Sequence, residues 1–308
     1  MTSTTRAPSR THPKPLPGTG GRTAAIFLVP FLVLFALTMV APIAYAIGMS
    51  LFAQKRSGLG FGGARTEFVG LGNYITVLSD DAFVNGFARL AAYCLLYVPA
   101  LLLSALVLAL LLDAAAARLR RMFQLFLFLP HAVPGVIAAL IWAYLYTPGV
   151  SPIVNAFAAN GISIDLLSVH LVLPSVVNVS VWEWTGYNVI ILFTALQAVP
   201  REVLEAARVD GAGEIRTALS IKAPLVWPAI SVALLFTVIG SLQLFTEPKI
   251  LSSMTTNVTS TWVPNMWAYE AAFVRNNVPQ AAAASILLAL LAAVLSWFVT
   301  RFTSKERH

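Results

Sequence analysis

Charged side chains are scarce in this sequence, and that scarcity sets the class of protein. Asp, Glu, Lys and Arg make up 11% of the 308 residues, whereas a soluble globular protein carries about a quarter. Apolar residues reach 58% and the mean hydropathy is +0.79. A soluble core with a charged surface is therefore excluded, and most of the chain is expected to lie in lipid. The length suits one integral membrane domain without a large second domain.

Residues able to carry covalent or metal chemistry are also few. The one cysteine, Cys94, lies in an apolar run and excludes an intrachain disulfide, and no Cys/His cluster has metal-ligand spacing. No G-x-x-x-x-G-K-[ST] phosphate loop is present, so the chain is not expected to hydrolyse ATP itself. Glu183 and His131 stand isolated within apolar segments, which argues against a membrane-embedded enzyme. The prediction is a chain that binds no metal and no cofactor of its own.

The net charge of +7 is distributed in a way that favours a membrane over nucleic acid. The basic residues flank apolar runs and form no continuous stripe, which is the pattern that sets membrane orientation. Residues 1–23 contain Pro, Gly, Thr and Arg but no acidic residue, and they are predicted to be a disordered cytoplasmic tail. Residues 304–308 form a second short tail. Lipid is therefore a predicted partner, and nucleic acid is not.

Six apolar runs are long enough to cross a bilayer as helices, which takes about 20 residues. An all-α fold is predicted, because lipid offers no partner to free backbone groups and these runs are too long and continuous for barrel strands. A different kind of membrane protein, an ion-coupled secondary transporter, is the alternative. Such a transporter is expected to have broken helices, internal repeats and several buried ionisable residues. These features are absent from this sequence or only weakly present. The predicted spans are 24–52, 87–112, 122–147, 171–198, 225–246 and 281–302.

The distribution of lysine and arginine predicts that both ends of the chain lie in the cytoplasm. With the N-terminus inside, most of the 20 basic residues fall on the cytoplasmic side, where an excess of positive charge sets the orientation. Six spans are consistent with this N-in/C-in arrangement. The outer segments, about 53–86, 148–170 and 247–280, are too short to be folded catalytic domains.

The segment between the fourth and fifth spans, residues 199–224, is unusually rich in charge. It carries four acidic and four basic residues, so it is expected to face water. Pro200 suits the first turn of a helix and Glu202 stands near its positive end. Gly211 permits the turn that ends this helix, and a second short helix is expected to run up to Pro224. The sequence therefore predicts a rigid helix–turn–helix that projects from the membrane.

This loop resembles the EAA motif of the permease subunits of ABC importers, roughly E-A-A-x-x-D-G-A followed by I-x-L-P. The resemblance implies a coupling helix that docks in a cleft of a cytoplasmic ATPase subunit, with Glu205 paired to a basic residue there and Gly211 supplying the turn. Ala223 departs from the motif, since the family usually has leucine there. A merely charged interhelical loop is the alternative. The matching residues are Glu205, Ala206, Ala207, Asp210, Gly211, Ala212, Ile221 and Pro224.

Similarity to the carbohydrate branch of that family extends over residues 24–303. It is carried by GLGNY (Gly70–Tyr74), WEWTGYN (Trp182–Asn188) and LQLFTEP (Leu242–Pro248), while LFLFLPHAVPGVIAALIW resembles the F-type permease of the maltose transporter. The resemblance implies a polytopic type I ABC importer permease fold in the bacterial cell membrane. The partners it implies are a second, G-type permease subunit, two ATPase subunits that bind ATP and Mg, and an extracytoplasmic sugar-binding protein.

Spans four and five carry polar and aromatic side chains that are unusual in membrane helices. A sugar crossing the protein needs hydroxyl-matching groups and aromatic faces. Glu183 is predicted either to line the substrate pathway or to pair with the second permease, and one of Trp182 and Trp184 is expected only to pack. Thr237 and Ser241 either line the pathway or hydrogen-bond to their own helix or to a neighbouring one. The predicted pathway residues are Glu183, Trp184, Tyr187, Asn188, Thr237, Ser241 and Gln243.

The cargo implied by the carbohydrate branch is a sugar, a di- or oligosaccharide. The stretch 246–273 resembles a group that includes importers of β-gluco-oligosaccharides such as cellobiose. Trehalose, maltose and glycerol-3-phosphate stay open as alternatives. The mechanism implied is alternating access, in which closure of the ATPase subunits on ATP moves the coupling helices and reorients the pathway.

Overall fold

The computed structural model describes residues 20–56, 64–114 and 119–304, and the chain divides into two units after Gly48. In the described part of the first unit, helix α1 (Gly20–Phe35) runs through a π-helical turn into helix α2 (Ala41–Ser50). The run Ala25–Ser50 is long and apolar enough to cross a membrane. It lies within the predicted first span.

The predicted cytoplasmic tails are largely outside the described residues. Residues 1–19 and 305–308 fall there, so the structure does not address them. Residues 20–23, which the sequence assigns to the disordered tail, are the first residues of α1. The last described residue, Ser304, still belongs to a helix.

The second unit begins with an antiparallel β-hairpin, which corrects the prediction of a purely α-helical chain. Strand β1 (Phe52–Arg56) pairs with strand β2 (Ala64–Phe68), and the phenylalanine rings at the base of the hairpin lie 5.5 Å apart between centroids. Asn73 Nδ2 donates hydrogen bonds of 2.7 Å to the carbonyl oxygens of Ser50 and Phe52, which fixes the base of the hairpin. Neither strand, FAQKR or ARTEF, alternates apolar and polar residues, so the sequence has no period-two signal there.

The rest of the second unit, over its described residues, is helical. Short 3₁₀ and π-helical turns connect or extend several of the helices. The α-helices are α3 (Gly72–Leu78), α4 (Asp81–Asp113), α5 (Arg120–Phe128), α6 (Gly135–Tyr146), α7 (Pro152–Ala159), α8 (Val172–Gln197), α9 (Arg201–Val209), α10 (Glu214–Thr217), α11 (Ala223–Leu225), α12 (Trp227–Ser241), α13 (Thr246–Leu251), α14 (Pro264–Tyr269) and α15 (Val278–Ser304).

The predicted third span, 122–147, is broken in the middle. Helices α5 and α6 are joined by a 3₁₀ turn (Leu129–Ala132), and their axes differ by 94°. Val133 has extended backbone angles, φ −79° and ψ 130°, because the ring of Pro134 disfavours a helical residue in front of it. The third run is therefore a bent pair of helices and not one straight helix, and its apolar composition is as expected.

Four helices among the described residues are long and apolar enough to span a membrane, and the bent α5–α6 pair would make a fifth. Helix α8 has 26 residues and coincides with the predicted fourth span, but its polar side chains lower its hydropathy. The total of six spans stays a prediction. The four helical runs are Ala25–Ser50, Asp81–Asp113, Trp227–Leu251 and Val278–Arg301.

Helix α8 lies inside the second unit and packs along α4. Towards the C-terminal ends of both helices, Val189 and Leu192 pack with Ala105 and Ala109 in one apolar cluster, and the small alanines allow close approach. Nearer the N-terminal ends, a second apolar cluster joins α4 and α8 to residues of α14. Between these two clusters, residues 183–188 of α8 bring polar side chains into the interior.

Candidate functional site

A cavity of about 460 Å³ lies within the second unit, between α4, α8 and the α12–α13 segment. Its volume is in the range of sites that bind small molecules. Tyr93, Tyr97 and Leu101 of α4 line it, because four-residue spacing places them on one helical face. All but one of the predicted pathway residues also line it, and these are Glu183, Trp184, Tyr187, Asn188, Thr237 and Gln243.

Ser241 is the predicted pathway residue that lies outside the cavity lining. Its hydroxyl donates a 2.7 Å hydrogen bond to the carbonyl oxygen of Val238, in its own helix, and receives one of 3.1 Å from Cys94 Sγ. Ser241 thus hydrogen-bonds to its own helix and to the neighbouring α4, which is the alternative to lining the pathway. Gly240, one residue earlier, does line the cavity.

The carboxylate of Glu183 faces the cavity at the N-terminal end of α6. Only 8% of the residue is exposed, and a Cβ placed on Gly135, the first residue of α6, would lie 3.3 Å from Glu183 Oε1. The first turn of a helix has unsatisfied N–H groups and a partial positive charge, so this position favours a carboxylate. No hydrogen bond from another described residue reaches the Glu183 side chain, which leaves its oxygens available to a ligand.

A second carboxylate, Glu247, lines the same cavity and was missed by the sequence reasoning. Glu183 has no acidic residue at helical spacing from it and is therefore isolated in the sequence. Glu247 approaches it from the start of α13, far along the chain. Ser180 Oγ of α8 donates a 3.0 Å hydrogen bond to Glu247 Oε1. The sequence signal for it is the LQLFTEP stretch, in which Glu247 stands at the boundary between the predicted fifth span and the outer segment 247–280.

Aromatic rings form much of the remaining wall. Tyr93 and Tyr97 are stacked, with centroids 5.0 Å apart, although their sequence context favours packing or an interfacial belt. Trp184 and Tyr187 line the cavity and are backed by His131, whose ring lies 4.6 Å and 5.0 Å from theirs. Flat apolar faces beside carboxylate and amide groups match the mixed surface of a sugar ring.

The two tryptophans of the WEWTGYN stretch have different surroundings. Trp184 lines the cavity. Trp182 packs edge-on against Trp142 of α6, with centroids 5.8 Å apart, and is not part of the cavity lining. One of the pair therefore has only packing contacts, as the sequence analysis expected.

The predicted coupling loop forms an exposed helix–turn–helix at the end of the unit where α8 finishes. Helix α9 begins directly after Pro200 and has Glu202 in its first turn and Arg208 in its last turn, which suits the helix dipole. Val209 at the turn is 87% exposed and Ile215 of α10 is 77% exposed. Apolar side chains this exposed next to a charged surface are typical of a protein interaction site.

Gly211 makes the turn between α9 and α10 in a left-handed conformation. Its φ is +77°, an angle that glycine adopts without steric cost. The N–H groups of Gly211 and Ala212 donate to the carbonyl oxygens of Arg208 and Ala207, at 3.0 Å and 2.9 Å. These bonds satisfy carbonyl groups at the end of the helix. After α10, a π-helical turn (Ala218–Lys222) leads into α11 and α12.

Comparison with known proteins gives relatives that match over most of this chain. Residues 105–308 match the family model described as "binding-protein-dependent transport system inner membrane component". The trehalose transport system permease protein SugA of Mycobacterium tuberculosis is 31% identical, over 91% of this chain and 89% of that protein. The sn-glycerol-3-phosphate transport system permease protein UgpA of Agrobacterium fabrum is 28% identical, over 92% of this chain and 95% of that protein.

The fold also has a solved counterpart. A chain in the crystal structure of a bacterial ABC transporter involved in the import of the acidic polysaccharide alginate superposes with a TM-score of 0.80. The match covers 94% of this chain and 97% of that chain at 20% sequence identity. At that identity the likeness shows the fold alone.

Proposed function

The chain belongs to the family of inner membrane components of binding-protein-dependent transport systems, and we propose that it is the F-type permease half of an ATP-driven sugar importer. It is a multi-pass permease subunit of the cytoplasmic membrane, and its family is a transport component and not an ATPase. The proposed complex adds a G-type permease, two ATPase subunits that hold ATP and Mg, and an extracytoplasmic sugar-binding protein. Residues 24–303 form the permease domain, with six spans and both ends in the cytoplasm.

The observation that carries this proposal is the exposed helix–turn–helix from α9 to α11. Its EAA-type residues, Glu205 to Ala212, lie around a turn whose apolar side chains are uncovered. An exposed projection that carries both charged and apolar side chains suits docking on a water-soluble subunit, since charge complementarity selects the partner and fixes the register. We assign α9 as the coupling helix, with Glu205 as the charge that meets a basic residue of the ATPase and Gly211 as the turn.

Replacing Gly211 by valine is expected to reduce ATP-driven uptake while leaving membrane insertion intact. A Cβ at Gly211 would meet no atom within 4 Å, so the cost comes from the positive φ alone. That cost is about 1–2 kcal/mol for a residue with a side chain, roughly a fivefold to thirtyfold shift away from this turn. Uptake into proteoliposomes and the amount of ATPase subunit that copurifies are the measurements.

Gly213 provides a matched control in the same loop. Its φ is −69°, which any residue adopts, and a Cβ there also meets no atom within 4 Å. Gly213→Ala is therefore expected to retain uptake. Equal activity of Gly211→Val and Gly213→Ala would show that the left-handed turn is not needed for coupling.

The cavity between α4, α8 and α12–α13 is proposed as the translocation site, and its charge favours a neutral cargo. Glu183 and Glu247 both line it, and no lysine, arginine or histidine is among the described lining residues. Carboxylates accept hydrogen bonds from sugar hydroxyls. A phosphate group brought next to either carboxyl group would have no cation among the described lining residues to offset its charge. A phosphate ester would therefore be disfavoured at this site.

Glycerol-3-phosphate is the second candidate cargo, because relatives named for its transport align along nearly the whole chain. The two cargoes can be separated with a reconstituted complex that includes the cognate binding protein. Uptake of a labelled neutral disaccharide, with cellobiose and trehalose as probes, should resist an excess of unlabelled sn-glycerol-3-phosphate. Uptake of sn-glycerol-3-phosphate itself, without uptake of a neutral sugar, would overturn the sugar assignment.

A further inference from the structure

Three helical ends meet at a single carboxylate on the side of the unit that carries the coupling loop. Asp113 is the last residue of α4, Gln197 is the last residue of α8, and Lys222 ends the π-helical turn that precedes α11. Lys222 Nζ lies 2.5 Å from Asp113 Oδ2, and Gln197 Nε2 donates to Asp113 Oδ1. We call this contact the Asp113 latch.

The Asp113 latch is a structured contact and not a chance pairing on the surface. A carboxylate in the last turn of a helix is disfavoured by the helix dipole, and the ion pair with Lys222 and the hydrogen bond from Gln197 compensate for that position. The side chains of Lys222 and Asp113 are only 16% and 9% exposed. Arg120 is directed instead to the carbonyl oxygen of Ala114 at 3.4 Å and lies over the ring of Phe193.

The latch attaches the second half of the coupling loop to the helix bundle. Val226, four residues after Lys222, packs in the same apolar cluster as Ala109 of α4 and Leu196 of α8. The first half of the loop, α9, has its charged residues exposed. A force applied to the exposed half would therefore reach α4 and α8 through Lys222 and Val226.

Helices α4 and α8 carry this connection to the cavity. At 1.5 Å per residue, Tyr97 lies about 24 Å from Asp113 along α4, and Glu183 lies about 21 Å from Gln197 along α8. Rigid helices joined by packed side chains and hydrogen bonds are the elements through which separated sites are energetically coupled. The same carboxylate thus holds together the two helices that form one side of the cavity.

We propose that the Asp113 latch transmits movement of the coupling loop to α4 and α8, with Asp113 and Lys222 acting as positioning residues for cargo translocation. The inference rests on the proposed function as an ATP-driven importer. A helix bundle that is no longer joined to the loop would let the ATPase subunits cycle without reorienting the cavity. Loss of the latch should therefore separate ATP hydrolysis from transport, which a simple loss of folded protein would not do.

The test uses Asp113→Asn in the complete complex, reconstituted with its binding protein and ATPase subunits. The molecules of sugar imported per ATP hydrolysed should fall by about tenfold, within the range by which mutations along a coupled network change coupling. Lys222→Met should give the same loss. The reciprocal variant, Asp113→Lys with Lys222→Asp, should recover most of the ratio, because the helix dipole favours a cation at the end of α4.

Asp81→Asn is the matched control, since it removes an exposed carboxylate at the opposite end of the same helix. It should keep the wild-type ratio. The inference is overturned if Asp113→Asn keeps the wild-type ratio, or if uptake and hydrolysis fall in equal proportion and the reciprocal variant recovers neither. A wild-type complex without ATP-dependent uptake would instead overturn the proposed function, which keeps the two failures distinct.

Discussion

Replacing Gly186 by alanine is expected to destabilise the permease more than the same replacement at any other glycine that the structure describes. A Cβ at Gly186 of α8 would lie 1.7 Å from the carbonyl oxygen and 2.4 Å from the carbonyl carbon of Leu127 in α5. Both are backbone atoms, so no side-chain rotation relieves the overlap and the helices must separate. The expected cost is at the top of the range for overpacking, about 3 kcal/mol or more. Thermal unfolding of the purified subunit in detergent is the measurement.

The same substitution should also disturb the cavity. Leu127 stands just before the bent segment that holds His131 against Trp184 and Tyr187. Gly240→Ala is the control for stability, because a Cβ there meets no atom within 4 Å. A melting temperature for Gly186→Ala equal to that of Gly240→Ala would mean that α5 and α8 do not approach as closely as the structure shows.

Replacing Glu183 by glutamine should strongly reduce uptake without changing the affinity of the binding protein for its sugar. The glutamine keeps the size of the side chain but loses the charge that strengthens hydrogen bonds to hydroxyl groups. Such bonds contribute about 1.5–3 kcal/mol, so the maximal uptake rate should fall by about tenfold to a hundredfold. The measurement is the uptake rate at saturating binding protein, with complex assembly checked by copurification.

A control for charge loss is Glu270→Gln, in the turn after α14, because Glu270 is not part of the cavity lining. It should transport at the wild-type rate. If Glu183→Gln does so too, the carboxylate has a packing role only, and the cavity would not be the translocation site.

Local patterns predicted the parts of the molecule that depend on neighbouring residues. The turn at Gly211 could be read from the sequence, since a glycine between two short amphipathic segments specifies its own geometry. The buried polar face of α8 could also be read, because residues such as Glu183 are too costly to place in lipid. A local rule also applies at Pro134, which disfavours a helical residue in front of it and so explains the break in the third span.

Contacts between distant segments could not be predicted from one sequence. Glu247 enters the cavity because α13 folds beside α8, where Ser180 binds it, and spacing along the chain contains no trace of that approach. Asp113 and Lys222 are likewise far apart in sequence and appear separately as charges at the edges of apolar runs. Tertiary packing alone brings such pairs together. The proposed translocation site depends on the first pair, and the proposed role of the Asp113 latch depends on the second.

Uptake by the complete complex in proteoliposomes shows whether this chain imports a neutral sugar with energy from ATP. Labelled disaccharide should accumulate only when the binding protein and ATP are both present, and ionophores that collapse ion gradients should leave the rate unchanged. Accumulation without ATP that stops when the ionophores are added would refute ATP-driven import and identify an ion-coupled transporter.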